Sequence, residues 1–418
     1  MSKIKEIKAR EILASGGDPS LEVHVELESG KFGVASVSYG ASAGSKEAFV
    51  LLDGDKERYH GKGMLKAVEN ANTIIAPLLI GLEADEQRVI DNKMISADGT
   101  QNKSKLGANA ILGVSMAVAR AAAADSGLEL YDYLRKICGL ENEKYSLPKP
   151  MAVMIEGGKH ADNSTDFQEY LLTITKEQSV KDNVLMMENV YQALKVVLKE
   201  NNLSVNVGNE GAFAPDGIAS NELPLQYLVK AITDAGYSAV TDCGVSMDLA
   251  ASEFYHDGKY ILSRENKELS SQEIIDMCLG WFKKYPMVTC EDMLSEFDWE
   301  NWPKITASAN IPIIADDLTV TNVKLWQKAI ELKAANAILI KLNQAGSVTE
   351  TLDCCMLAKK YNFPTIPSHR GGGETEDTFL VDLGVAMGSS WIKVGPTRGE
   401  RVSKYNRLME IEDKINNI

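Results

Sequence analysis

With 418 residues, 44% hydrophobic and 25% charged, the chain has an ordinary globular composition and room for a large barrel plus a smaller unit. Its formal net charge of −15 argues against a general nucleic-acid or anionic-membrane surface, yet a few cations in a cleft can still take a small anion. The cysteines sit in apolar segments without a CxxC pair, and "MSKIKEIKARE" lacks a signal-peptide core, so the expectation is reduced thiols in a cytoplasmic protein.

From the N-terminus, Leu21, Val23, Val25 and Leu27 alternate with Glu22, His24, Glu26 and Glu28, which predicts a half-buried antiparallel strand. Ser29-Gly30 turns the chain into a second strand, "KFGVASVSYG". "NKSKLGANAILGVSMAVARAAAA" predicts a helix of small apolar residues. Residues 1–140 are read as an α+β capping domain, with Pro148 and Pro150 marking the passage into a second domain, 141–418.

There the rhythm changes. Short apolar runs ("VSMD", "PMVTCED", "IPIIADD", "AILIKLN", "TIPSHR", "WIKVG") alternate with amphipathic stretches, one of them opening on a capping-box pattern from Ser270 to Glu273. Repeated strand–helix units predict a parallel α/β architecture, and the lack of a dinucleotide or P-loop glycine fingerprint favours a closed barrel.

Each run ends in charge. Asp248, then Glu291-Asp292, then Asp316-Asp317, then Lys341, then His369-Arg370 follow successive strands, and Lys393 follows "WI". In a parallel barrel these ends share one mouth. One such acid is more often a helix N-cap or a solvated loop residue, but cations do not cap helix N-termini, so the set as a whole points to a site. Carboxylates from three strands would form an all-oxygen site suited to Mg²⁺, and no His or Cys cluster has zinc spacing. Lys341, beside Lys393 and a carboxylate-bound cation, is expected to have a lowered pKa and to act as a base. The other reading is that it pairs with Asp316 or Glu291 and balances their charge.

The segments "AREIL", "GASAGSKEA", "RYHGKG", "DGTQNKSKLGANAILGVSMAVA", "DFQEY", "DLAASEFY", "ADDLTVTN", "ILIKLNQAGSVTETL", "GETEDT" and "ERVSKYNRL", in this order, resemble the enolase (phosphopyruvate hydratase) family over almost the whole chain. The resemblance implies a lyase of glycolysis and gluconeogenesis that interconverts 2-phospho-D-glycerate and phosphoenolpyruvate with Mg²⁺. It implies Asp248, Glu291 and Asp316 as metal ligands, with Ser42 helping to hold a second ion. It also implies Lys341 as base, Glu210 as acid with Glu169 beside it, and His160, Gln168, His369, Arg370 and Lys393 around the substrate. Glu210 is expected to have a raised pKa through repulsion from Glu169. A homo-oligomer, dimer or octamer, without nucleic acid or membrane insertion, is implied too. The sequence departs from the family pattern at Ala14, Gly16, Ser38-Tyr39, Ala43, Glu156, Asn209 and Ala212, and has an extra glycine in "HRGGGE". Glu156 and that glycine motivate an alternative, a paralogue acting on a related phospho- or phosphono-carboxylate. A surface-displayed binding protein that keeps the fold is a further alternative.

Overall fold

Alternating apolar and charged residues build the first sheet, in which β1 (Ile4–Leu13), β2 (Pro19–Leu27) and β3 (Phe32–Ser36) run antiparallel in that order. Leu21, Val23, Val25 and Leu27 are buried, as their spacing predicts. They pack beneath the helix Ala108–Asp125, whose small residues permit a close approach. At Gly33 the approach is closest: a Cβ there would lie 2.2 Å from the Ala117 carbonyl oxygen and 2.4 Å from the Ala121 nitrogen. Residues 102–107 stay outside the helix, since the Leu106 N–H donates to the Asp98 carboxylate at 2.6 Å. β4 (Tyr39–Gly40) is the last strand before the barrel. The computed structural model describes residues 2–40 and 44–417, so the expectations for Ser42 and Ala43 lie outside the described residues.

The barrel begins with β5 (Lys149–Glu156), β6 (Glu169–Ile174) and β7 (Cys243–Asp248). A small antiparallel meander follows, β8 (Tyr255–His256), β9 (Lys259–Leu262) and β10 (Lys267–Leu269). The barrel resumes with β11 (Met287–Glu291), β12 (Ile313–Ala315), β13 (Ala337–Ile340) and β14 (Thr365–Pro367). The short β15 (Gly372–Gly373) pairs with β4, and β16 (Trp391–Val394) is the last barrel strand. The sheet order is β14-β13-β12-β11-β7-β6-β5-β16, and a bridge between Ser368 and Lys393 joins its two ends. The fold class is therefore the expected α/β barrel with a smaller N-terminal α+β unit.

One strand corrects the expectation of a parallel run. β6 is antiparallel to both β5 and β7, because the loop 157–168 returns the chain directly without a crossover helix. The predicted capping box is formed at Ser270 and Glu273, opening the helix Ser271–Lys284. Five of the cysteines are buried, and all six are free thiols. No single helix among the described residues is long and apolar enough to cross a membrane.

Candidate active site

Register, more than any single side chain, assembles the mouth of the barrel. Glu156 is the Cα partner of Glu169, Glu169 of Asp248, and Asp248 of Glu291. Four adjacent strands thus set four acids in one lateral row. Because β6 runs backwards, its first residue, Glu169, stands level with the last residues of its neighbours. Lys393 enters this row from β16. Its ammonium lies 2.7 Å from Glu169 Oε2, 3.1 Å from Asp248 Oδ2 and 2.8 Å from each oxygen of Glu291. All are buried, and the acids hold the Lys393 ammonium well above its usual range although burial works strongly against it.

The next strand ends carry the second half of the site. Asp292 accepts the backbone N–H groups of Asp316 and Asp317 at 2.9 and 2.8 Å, which clasps the turn after β12. Asp316 Oδ1 accepts from Gln344 Nε2 at 2.8 Å, and Oδ2 accepts from the Lys341 ammonium. That bond corrects the expected pKa of Lys341. Burial pulls it downward most strongly, but Asp316 and then Glu291 together pull it upward, and the net shift is upward. The expected fall supposes a cation on these carboxylates; here Asp316 pairs with the lysine itself.

The third group surrounds Glu210. His369 Nε2 lies 3.2 Å from Glu210 Oε1, and His160 Nδ1 lies 3.6 Å from the same oxygen and 3.4 Å from Glu169 Oε1. Arg401 Nε donates to His369 Nδ1 at 3.3 Å, which makes that nitrogen an acceptor and leaves Nε2 to carry the proton facing Glu210. The expected rise in the Glu210 pKa is therefore wrong in sign. Burial works upward, but His369 and His160 prevail and hold Glu210 well below the usual carboxyl range. His160 is itself pushed up to about 9, with burial opposing and Glu210 and Glu169 driving the rise.

Arg370 is engaged rather than open. Its guanidinium forms a two-pronged pair with Glu47, Nη1 at 2.9 Å and Nη2 at 3.1 Å, and Nη1 also meets Asn343 Oδ1 at 3.1 Å. A cleft with about 470 Å³ of atom-free space is lined by His160, Gln168, Glu169, Glu210, Asp248, Asp316, Lys341, His369, Arg370 and Lys393. Of the expected site residues, Glu291 stands just behind it on Lys393, and Ser42 is not described. Sequence reasoning left out Glu47, Gln344, Arg401, and the roles of Asp292 and Asp317. Glu47 was in view within "GSKEA", and both aspartates are second members of noticed doublets. Arg401 lies within "ERVSKYNRL".

The donor set fits a hard divalent cation. Among the described residues, oxygens of Asp292, Asp316 and Asp317 come within 4.8 Å of one another. Burial followed by mutual repulsion raises Glu291, Asp292 and Asp317 well above ordinary values, because these acids outnumber Lys341 and Lys393. A dication would relieve that repulsion, and all-oxygen donors suit Mg²⁺ chemistry. Asp292 spends both oxygens on backbone amides, and the oxygens of Asp248, Glu291 and Asp316 are engaged as well: Asp248 with the Ala250 N–H and Lys393, Glu291 with Lys393, and Asp316 with Gln344 and Lys341.

Against known families, the model described as the enolase C-terminal TIM barrel domain matches residues 144–418, and that of the enolase N-terminal domain matches residues 4–134.

Proposed function

The chain belongs to the enolase family, and from that premise we propose that it is a Mg²⁺-dependent phosphopyruvate hydratase, converting 2-phospho-D-glycerate to phosphoenolpyruvate and water. The observation that carries this reading is the single cleft lined by a lysine, a carboxylate flanked by two histidines, and a row of acids crossed by Lys393. In this reading Asp248, Glu291 and Asp316 hold the metal. When bound, it supplies positive charge against the second negative charge that develops on the substrate carboxylate.

Lys341 removes the proton at C2 and releases it to solvent. It must first shed its own proton, which Asp316 now holds in place. Glu210 protonates the departing C3 hydroxyl, and Glu169 fixes the orientation of His160. Arg370, His369 and Lys393 offer donors to the phosphate and carboxylate, with Glu47 holding the Arg370 fork flat. Gln168 and His160 close the side of the cleft next to Glu169.

A second reading is favoured by Glu156, an extra buried acid in this row. It is a paralogue acting on a related phospho- or phosphono-carboxylate. Ultraviolet detection of enol phosphate from purified protein, 2-phosphoglycerate and excess Mg²⁺ tests the first. No product, together with turnover of a phosphonate analogue, would establish the second instead.

A further inference from the structure

At the end of β5, Glu156 is fully buried and half-satisfied. Its Oε1 accepts the backbone N–H groups of Glu210 and Ala212 at 3.0 and 2.9 Å, while Oε2 has no hydrogen-bond partner. Room for Oε2 exists only because residue 208 is glycine: a Cβ there would lie 2.4 Å from that oxygen. Atoms of Glu156, His160 and Glu210 lie within 4.8 Å of one another. A buried carboxylate with an orphaned oxygen beside a second carboxylate is costly if both are ionised, and a proton on one removes the cost.

We propose that Glu156 is a second acid of this site, which holds the proton that Glu210 later delivers to the leaving hydroxyl. The proposal rests on the dehydration reading above. Titratable and charged neighbours come from every packed element: Glu169 from β6, His160 from the loop after β5, Glu210 from the 208–212 loop, His369 after β14, and Arg401 from the helix Gly399–Ile415. His369, together with the cations His160 and Arg401, favours an ionised Glu210. Burial and the Glu210 charge push the Glu156 carboxyl up to about 8, so the one proton of this acid pair sits on Glu156 at neutral pH.

An anionic substrate brings negative charge to the same cations and thereby raises the proton affinity of Glu210. The His160 imidazolium then gives a proton to Glu210, and Glu156 restores it, breaking its own O–H bond. Glu210 passes the proton to the C3 oxygen as the C–O bond breaks with its electron pair, forming water. Solvent reprotonates Glu156, while Lys341 releases the C2 proton, so the sum is hydroxy acid to enol ester plus water.

Infrared difference spectra of the full-length, Mg²⁺-loaded protein at pH 7 test the proton directly. Wild type minus Glu156→Gln is expected to show a protonated-carboxyl band, and wild type minus Glu210→Gln only ionised-carboxylate bands. Glutamine keeps an oxygen for the two N–H groups but cannot yield a proton. Turnover should therefore fall about 100-fold in Glu156→Gln, while exchange of the C2 proton with solvent continues. An ionised Glu156 in the wild type, or one that ionises on adding Mg²⁺ without substrate, would overturn the proposal by leaving no stored proton. A protonated Glu156 with wild-type turnover in Glu156→Gln would reduce the residue to a loop anchor. If the wild type makes no phosphoenolpyruvate while the protonated band is present, the dehydration reading fails and takes the transfer step with it, but not the protonated state.

Discussion

Lys341 and Glu210 share the cleft but belong to different clusters, one hydrogen-bonded to Asp316 and one standing between two histidines. Their roles are therefore separable. Lys341→Ala should abolish both turnover and C2-proton exchange, whereas Glu210→Gln should lose turnover and retain exchange, as read by NMR in deuterated water with saturating Mg²⁺. Appreciable exchange in Lys341→Ala would remove lysine from the role of base. The stability of the fold reports on a third residue. Glu156 titrates near 8 when folded, against an ordinary 4.5. Between those values the folded state binds a proton that the unfolded state has lost, so stability falls as pH rises, by up to about 1.4 kcal/mol per pH unit. The contribution is complete below 4.5 and gone above about 8. Thermal melts should show Glu156→Gln gaining on the wild type as pH rises through this window; parallel curves would mean that Glu156 titrates normally.

At the scale of the element, the helix Ser271–Lys284 is a local test of sequence logic. Ser270 accepts the Glu273 N–H at 3.3 Å, and Glu273 accepts the Ser270 N–H at 2.8 Å. Ser270→Ala should cost about 1 kcal/mol in denaturant unfolding without touching activity, and a neutral result would mean that the cap is replaced by solvent. Such caps, and the strands that end in charge, were legible because each is written in a few consecutive residues. β5 and β6 were not. "KPMAVMIE" and "EYLLTI" carry no alternation, since both faces are buried, and nothing local states that β6 runs backwards. The site divides along the same line. Lys341 and Asp316 could be read from the chain, but the signs of the Lys341 and Glu210 shifts could not. They depend on Asp316, His369 and His160 arriving from other strands, and long-range pairing leaves no local mark.

At the scale of the whole molecule, the barrel mouth gathers more buried acid than its lysines neutralise, and a bound dication should stabilise the entire fold. Mg²⁺ at about 100 times its Kd should add about 2.7 kcal/mol, seen as a higher melting temperature, and Asp248→Asn should lose most of that gain. An unchanged melting temperature in wild-type protein would argue against a metal at this mouth. The backward strand has a different consequence, one of timing. Strands β5 and β6 meet across the loop 157–168, whereas parallel neighbours such as β11 and β12 must wait for a helical crossover to be laid down between them. Short loops close at lower entropic cost, so this hairpin is favoured to pair early in folding. Its register, interrupted by an irregularity between Val153 and Ile155, decides which face receives Glu156 and Glu169. A slip of one residue would put the two acids on opposite faces. Half of the acid row is thereby committed in the segment of the barrel that closes over the least chain, before the strands bearing Asp316 and Lys341 have joined it.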